Sequence, residues 1–225
     1  MLIVSSFIYL CLFAFLIYIA YSKRHFKYYT AAKTVASVGF ILLSAIAFYV
    51  GGGNNPSYFY GLLPCLALCL FGDVYLGLAN NKGKLFSKYF LRGVISFMLA
   101  HIGFCIVFSF LSPFHAYDLI LPICLLFFTW LCSRSNHFKL HRMKLPVMAY
   151  SLFVGLMCAR GFSAAFAIAS PEKSMLLCIG SVLFLLSDGV ILLLYFYLRP
   201  RKMLRFLNLA TYYIGLLCIA LSCAY

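Results

Sequence analysis

The chain has 225 residues, 65% of them hydrophobic and only 10% charged, with a mean hydropathy of +1.03. So little polar surface excludes a large soluble domain and places the chain among membrane proteins. A formal net charge of +14 resembles a nucleic-acid footprint, but its placement along the chain excludes that partner.

Apolar runs near the ~20 residues that cross a ~30 Å hydrocarbon core recur along the whole sequence. They fall at about 2–21, 31–50, 58–79, 90–111, 117–133, 145–169, 174–198 and 206–224. The first has no basic residue before it and Lys23, Arg24 and Lys27 after it, so it reads as an anchor, not a cleaved leader. Lys33 and Ser37 open the second run, and the uncharged GGGNNPS follows it. The third carries Asp73 and is followed by Lys82, Lys84, Lys88 and Arg92. The fourth carries His101, and the connection after it, SPFHAYD, ends on Asp118, which reads as a cap for the fifth. Arg134, Lys139, Arg142 and Lys144 follow the fifth run, and SPEKS follows the sixth. Asp188 lies in the seventh, which ends at Arg199, Arg201, Lys202 and Arg205; Asn208, Thr211, Tyr212 and Tyr213 open the eighth.

Basic residues thus crowd the odd connections and are nearly absent from the even ones. Because cytoplasmic loops are enriched in Lys and Arg, the pattern predicts both termini outside. Continuous apolar runs, not alternating ones, exclude a barrel. The expected fold is all-α, a polytopic membrane protein of eight transmembrane helices, with residues 1–225 forming a single helical bundle.

An ionisable side chain at bilayer depth costs roughly 2.5–3.5 kcal/mol and needs a partner. At ~1.5 Å per residue, Asp73, His101 and Asp188 all lie about 13–16 Å from the cytoplasmic edge, in one layer. Lys33, Ser37, Tyr150, Ser151, Asn208, Thr211, Tyr212 and Tyr213 lie shallower on the same side. A polar pocket reached from the cytoplasmic leaflet accounts for all of them. Lys33 with Ser37, and Asn208 with Tyr212, are four apart and can line one side of it. Gly72, Gly77, Gly180 and Gly189 would admit neighbouring helices closely beside the two carboxylates. Arg160, further out, either snorkels to the interface or pairs with Asp188. His137 and His141, four apart in HFKLH, read as a solvated basic loop. The ten cysteines all fall in or at the edge of spans, as small apolar residues do; Cys65 and Cys69 share a face but lack the further ligands of a zinc site. No metal and no cofactor are expected.

FGDVYLG, GVISFMLAH, GSVLFLLSD and ATYY, in that order on spans three, four, seven and eight, resemble the YhhN-type lysoplasmalogenase family of eight-helix membrane hydrolases. The resemblance covers nearly the whole chain. It implies hydrolysis of the vinyl ether bond of lysoplasmalogens, releasing a fatty aldehyde and glycerophosphoethanolamine or glycerophosphocholine. It further implies Asp73 and Asp188 as the two membrane carboxylates, with His101, Lys33, Tyr150 and Tyr212 as pocket members. With the polar layer above, the candidate catalytic set is Asp73, Asp188 and His101, and Ser187, Asn208 and Tyr213 join Lys33, Tyr150 and Tyr212 around the substrate. Three positions depart from the family pattern: Thr34 replaces a proline, Gly189 a serine and Leu216 a glutamine. These bear on substrate choice more than on the chemical step.

Two carboxyl groups suit that chemistry. Protonating the outer alkene carbon gives an oxocarbenium-like cation, which water captures as a hemiacetal that collapses to aldehyde and alcohol. The acid must still hold its proton near neutral pH, which desolvation favours; the second, ionised carboxylate steadies the cation and draws a proton from water. Asp188, the deeper and set among leucines, is the better candidate for the acid. Lys33 and the basic loops would hold the phosphate. The expected partners are a lysophospholipid and the bilayer, in a bacterial plasma membrane, or in the endoplasmic reticulum of a eukaryote. The rival readings are a proton-coupled transporter of a lipid or small molecule, against which the halves show no internal repeat, and an inactive lipid-binding protein.

Overall fold

A computed structural model of the chain describes residues 1–81, 87–140, 143–198 and 203–225. The helices are α1 (Leu2–Tyr21), α2 (Tyr29–Val50), α3 (Pro56–Asn81), α4 (Lys88–Ser109), α5 (Ile120–Arg134), α6 (Lys144–Ala167), α7 (Pro171–Phe196) and α8 (Met203–Leu221). Short 3-10 turns lead into α2 and α5 and follow α8. Taken with those turns, each helix is long and apolar enough to cross a membrane. The eight expected spans therefore stand as a multi-pass membrane fold, with ends moved by a few residues as caps and turns dictate. α7 shows the local cause: Ser170 caps it by accepting from the Lys173 N–H, and Pro171 and Glu172 occupy its first turn. Lys82, Lys84, Arg142, Arg199, Arg201, Lys202 and His141, which the sequence puts in connections, lie outside the described residues.

The chain divides into two compact units, Met1–Phe104 with Leu217–Tyr225, and Cys105–Leu216. In the first, α2 packs against α1, α3 and the C-terminal 3-10 turn. Small residues set these approaches. A Cβ on Gly72 would meet the Phe97 ring at 2.6 Å, and one on Gly77 would meet Thr30 at 3.0 Å, so both glycines admit a neighbour as expected. Ser96 on α4 donates to the Leu68 carbonyl on α3 at 2.7 Å. Gly52 and Gly53, at φ +78° and +71°, turn the chain between α2 and α3 in a conformation that favours glycine. Beside that turn the Ala224 backbone closes on Gly51, and Tyr58 hydrogen-bonds Ser222 at 2.7 Å.

In the second unit α6 packs against α5 and α7. A Cβ on Gly155 would lie 2.8 Å from Pro122, and one on Gly161 2.8 Å from Cβ of Ser181. The Gly180 carbonyl lies 3.1 Å from where a Cβ on Gly215 would stand, so α7 and α8 meet closely there. Gly189 does not follow the expectation: it is exposed, with nothing within 4 Å of a Cβ, because it lies on the outward face of α7 one residue past Asp188. His137 sits in the connection after α5, near Tyr197, where Phe138 and Tyr197 form an antiparallel bridge.

Candidate functional site

In the first unit the site is built on one face of α2. Lys33 and Ser37, one turn apart, both point at Asp73 on α3, whose side chain is wholly buried. Lys33 Nζ lies 2.7 Å from Oδ1 of Asp73, and the Ser37 hydroxyl donates to Oδ2 at 2.5 Å. The same hydroxyl lies 2.9 Å from the Lys33 carbonyl, one helical turn back. The ammonium expected at a substrate phosphate is thus engaged with a carboxylate: Lys33 is itself only 5% exposed, its stem carrying the charge inward to Asp73. Pairing is what makes each charge tolerable at this depth, since either alone would lack compensation.

Two further side chains belong to this neighbourhood. Tyr9 on α1, buried and missed by the sequence reading, interacts electrostatically with Asp73. Its only sequence signal is a hydroxyl-bearing ring in mid-span. His101 is wholly buried on α4, one turn beyond Phe97, the residue that packs on Gly72 beside Asp73.

In the second unit Asp188 is 8% exposed, about two turns before the end of α7. The residue before it, Ser187, is clamped to α8. The Asn208 amide donates to the Ser187 carbonyl at 3.1 Å and to its hydroxyl at 2.9 Å, while that hydroxyl lies 3.3 Å from the Asn208 carbonyl. Ser187 and Asn208, both expected at a substrate, are therefore brought together and hydrogen-bonded to each other, which fixes the turn that carries Asp188. One turn further along α8, Tyr212 packs edge-on against Phe184 at 5.3 Å and against Tyr213 at 4.9 Å, and both tyrosines are buried. Tyr150 is half-buried near the start of α6, next to Ser151, whose hydroxyl bonds Thr129 on α5 at 2.9 Å.

Arg160 corrects the sequence reading on both counts. It neither snorkels nor pairs with Asp188; it is 1% exposed and paired with Asp118 at 2.6 Å. The same guanidinium donates to the carbonyls of Pro113, at 2.8 Å, and of Ser112. Asp118 is the expected cap, taking the His115 N–H at 2.9 Å, and also accepts the Ser163 hydroxyl. A carboxylate with several acceptor sites serves cap and ion pair together. Beside this node a cavity of about 500 Å³ opens between α5 and α6, lined by Asp118 and Ser163 and by apolar residues such as Leu121 and Phe162. Neither Asp73 nor Asp188 lines it. Among the described residues no group of three His, Cys, Asp or Glu side chains is placed to hold a metal ion.

Set against known proteins, residues 28–223 match the model of the YhhN family. No curated protein and no solved structure matches the chain.

Proposed function

The chain belongs to the YhhN family, and from that premise we propose that it is a membrane hydrolase cleaving the vinyl ether bond of lysoplasmalogens. The observation that carries this reading is the buried Lys33–Asp73 pair with its Ser37 hydroxyl, because a charged carboxylate held in mid-span has a cost that bulk stability does not repay. Asp73, engaged by an ammonium, is the ionised group. It steadies the oxocarbenium-like cation and takes a proton from the attacking water. Asp188, on a turn fixed by Asn208, is the acid that protonates the outer alkene carbon. His101 in the first unit, and Tyr150, Tyr212 and Tyr213 in the second, are the further residues that the family resemblance and the polar pattern offer to the substrate, and Ser187 and Asn208 act by holding Asp188 in place. The substrate enters from the bilayer, with basic residues of the connections meeting its phosphate. The products are a fatty aldehyde and a glycerophospho-alcohol.

The test is direct. Purified protein in lipid nanodiscs is given a lysoplasmalogen and, separately, its saturated ether analogue. A vinyl ether hydrolase releases aldehyde from the first alone, since only an alkene can accept the proton. A transporter or an inactive lipid binder releases it from neither, and that result would dismiss the proposal.

A further inference from the structure

The Ser37 hydroxyl has one hydrogen, and among the oxygen atoms within its reach are Oδ2 of Asp73 at 2.5 Å and the Lys33 carbonyl at 2.9 Å. One hydrogen cannot serve both well at once. Two arrangements satisfy both of these contacts in turn. With Asp73 ionised, Ser37 donates to Oδ2. With Asp73 protonated on Oδ2, the acid donates to the Ser37 oxygen and the serine hydrogen turns to the Lys33 carbonyl. In either, the buried carboxyl oxygen keeps a hydrogen bond, and leaving it without one would cost about 1–3 kcal/mol.

We infer that Ser37 is a positioning residue, a two-way hydroxyl that lets Asp73 hold and release a proton without any helix moving. The inference rests on the hydrolase reading and assigns Ser37 a part in it. When water attacks, one of its O–H bonds breaks, its oxygen bonds to the cationic carbon, and the proton goes to Oδ2 of Asp73. At that moment the Ser37 hydrogen turns to the Lys33 carbonyl. As the hemiacetal collapses, the Asp73 proton passes to the departing glycerol oxygen. The hydroxyl proton of the hemiacetal balances the one given to carbon, and Asp73 returns to its ionised state. Titratable groups that face Asp73 include Lys33 from α2 and Tyr9 from α1, and on α4 His101 lies one turn beyond Phe97, whose ring packs on Gly72. Ser37 is placed to exchange Oδ2 for a main-chain carbonyl by a bond rotation.

The experiment compares wild type, Ser37→Ala and Ser37→Thr as the full chain in nanodiscs. Loss of the hydroxyl should lower kcat about 10- to 100-fold, less than loss of a catalytic acid or base, which typically costs roughly 10²–10⁴-fold. KM should stay within about twofold and the melting temperature within a few degrees. Threonine, keeping the hydroxyl, should restore most of the rate. Infrared spectroscopy on acidification gives a reading that needs no turnover. The acid carbonyl band of Asp73, identified by its absence in Asp73→Asn, should move to higher frequency in Ser37→Ala, where the acid has lost the Ser37 oxygen, and stay in place in Ser37→Thr. An unchanged kcat in Ser37→Ala, a band indifferent to Ser37, or no protonated Asp73 at all would overturn the inference. If wild type makes no aldehyde, the hydrolase reading fails by itself, and the infrared comparison still decides what Ser37 does.

Discussion

The two units each bury an ion pair on candidate membrane spans, Lys33–Asp73 at 2.7 Å in the first and Arg160–Asp118 at 2.6 Å in the second, and the materials differ. The second joins a rigid planar fork to main-chain groups: two loop carbonyls take hydrogen bonds from Arg160, and a loop N–H fills Asp118. Such bonds hold the Ser112–Asp118 segment against α6, and none can change without unfastening the loop. The first joins a carboxylate to an ammonium on a flexible stem and to a hydroxyl. The difference teaches that a buried charge pair is not one kind of object. Backbone partners make it a joint; exchangeable side-chain partners leave it able to do chemistry.

The sharpest way to break that comparison is to make both pairs apolar. Lys33→Met with Asp73→Leu should bring aldehyde release down by roughly 10²–10⁴-fold while the melting temperature holds or rises, since apolar replacement of a whole buried pair is often neutral or stabilising. Activity assays beside thermal melts in detergent check both halves. Asp73→Asn alone should be less clean, because it leaves the Lys33 ammonium without its counter-charge. Next in size, Arg160→Met should cost about 3–5 kcal/mol of stability by stranding Asp118, yet the folded fraction should keep its specific activity. Adding Asp118→Leu should not recover the loss, because the Ser112 and Pro113 carbonyls and the capped turn stay unserved. Full recovery would make the two pairs alike. Smaller again, Gly161→Ala should cost about 1–3 kcal/mol through overpacking against Ser181, read as a lowered melting midpoint. Smallest, Gly189→Ser, which enters open space, should change stability by under about 0.5 kcal/mol. Restoring the serine that the family pattern carries should show, if anywhere, in the ratio of ethanolamine to choline substrates turned over.

Much of the fold was legible because bilayer thickness converts run length directly into helices, so the spans needed no tertiary knowledge. The two in-span aspartates stood out for the same reason. Partner choice was harder. Lys33 reads as one more basic residue near a connection, and nothing local tells that its stem turns inward. Asp118 and Arg160 lie on different spans, and helical periodicity names a face but not the neighbour it meets. Asp118 was read as a cap, which it is, and its second duty was hidden by the first. Ser187 and Asn208 were legible as polar but not as each other's partners. Gly189 shows the converse: small size permits a close approach, but rotation about the helix decides whether any neighbour comes.

All ten cysteines are free thiols, and every one lies within a candidate span. Aqueous maleimides, which stay out of hydrocarbon, would find the native chain nearly silent. A single cysteine placed in a connecting loop can therefore report from which side of the membrane it is labelled without first stripping the protein of its own sulfur. Sidedness, expected above from charge, becomes something a gel can read from the otherwise untouched molecule.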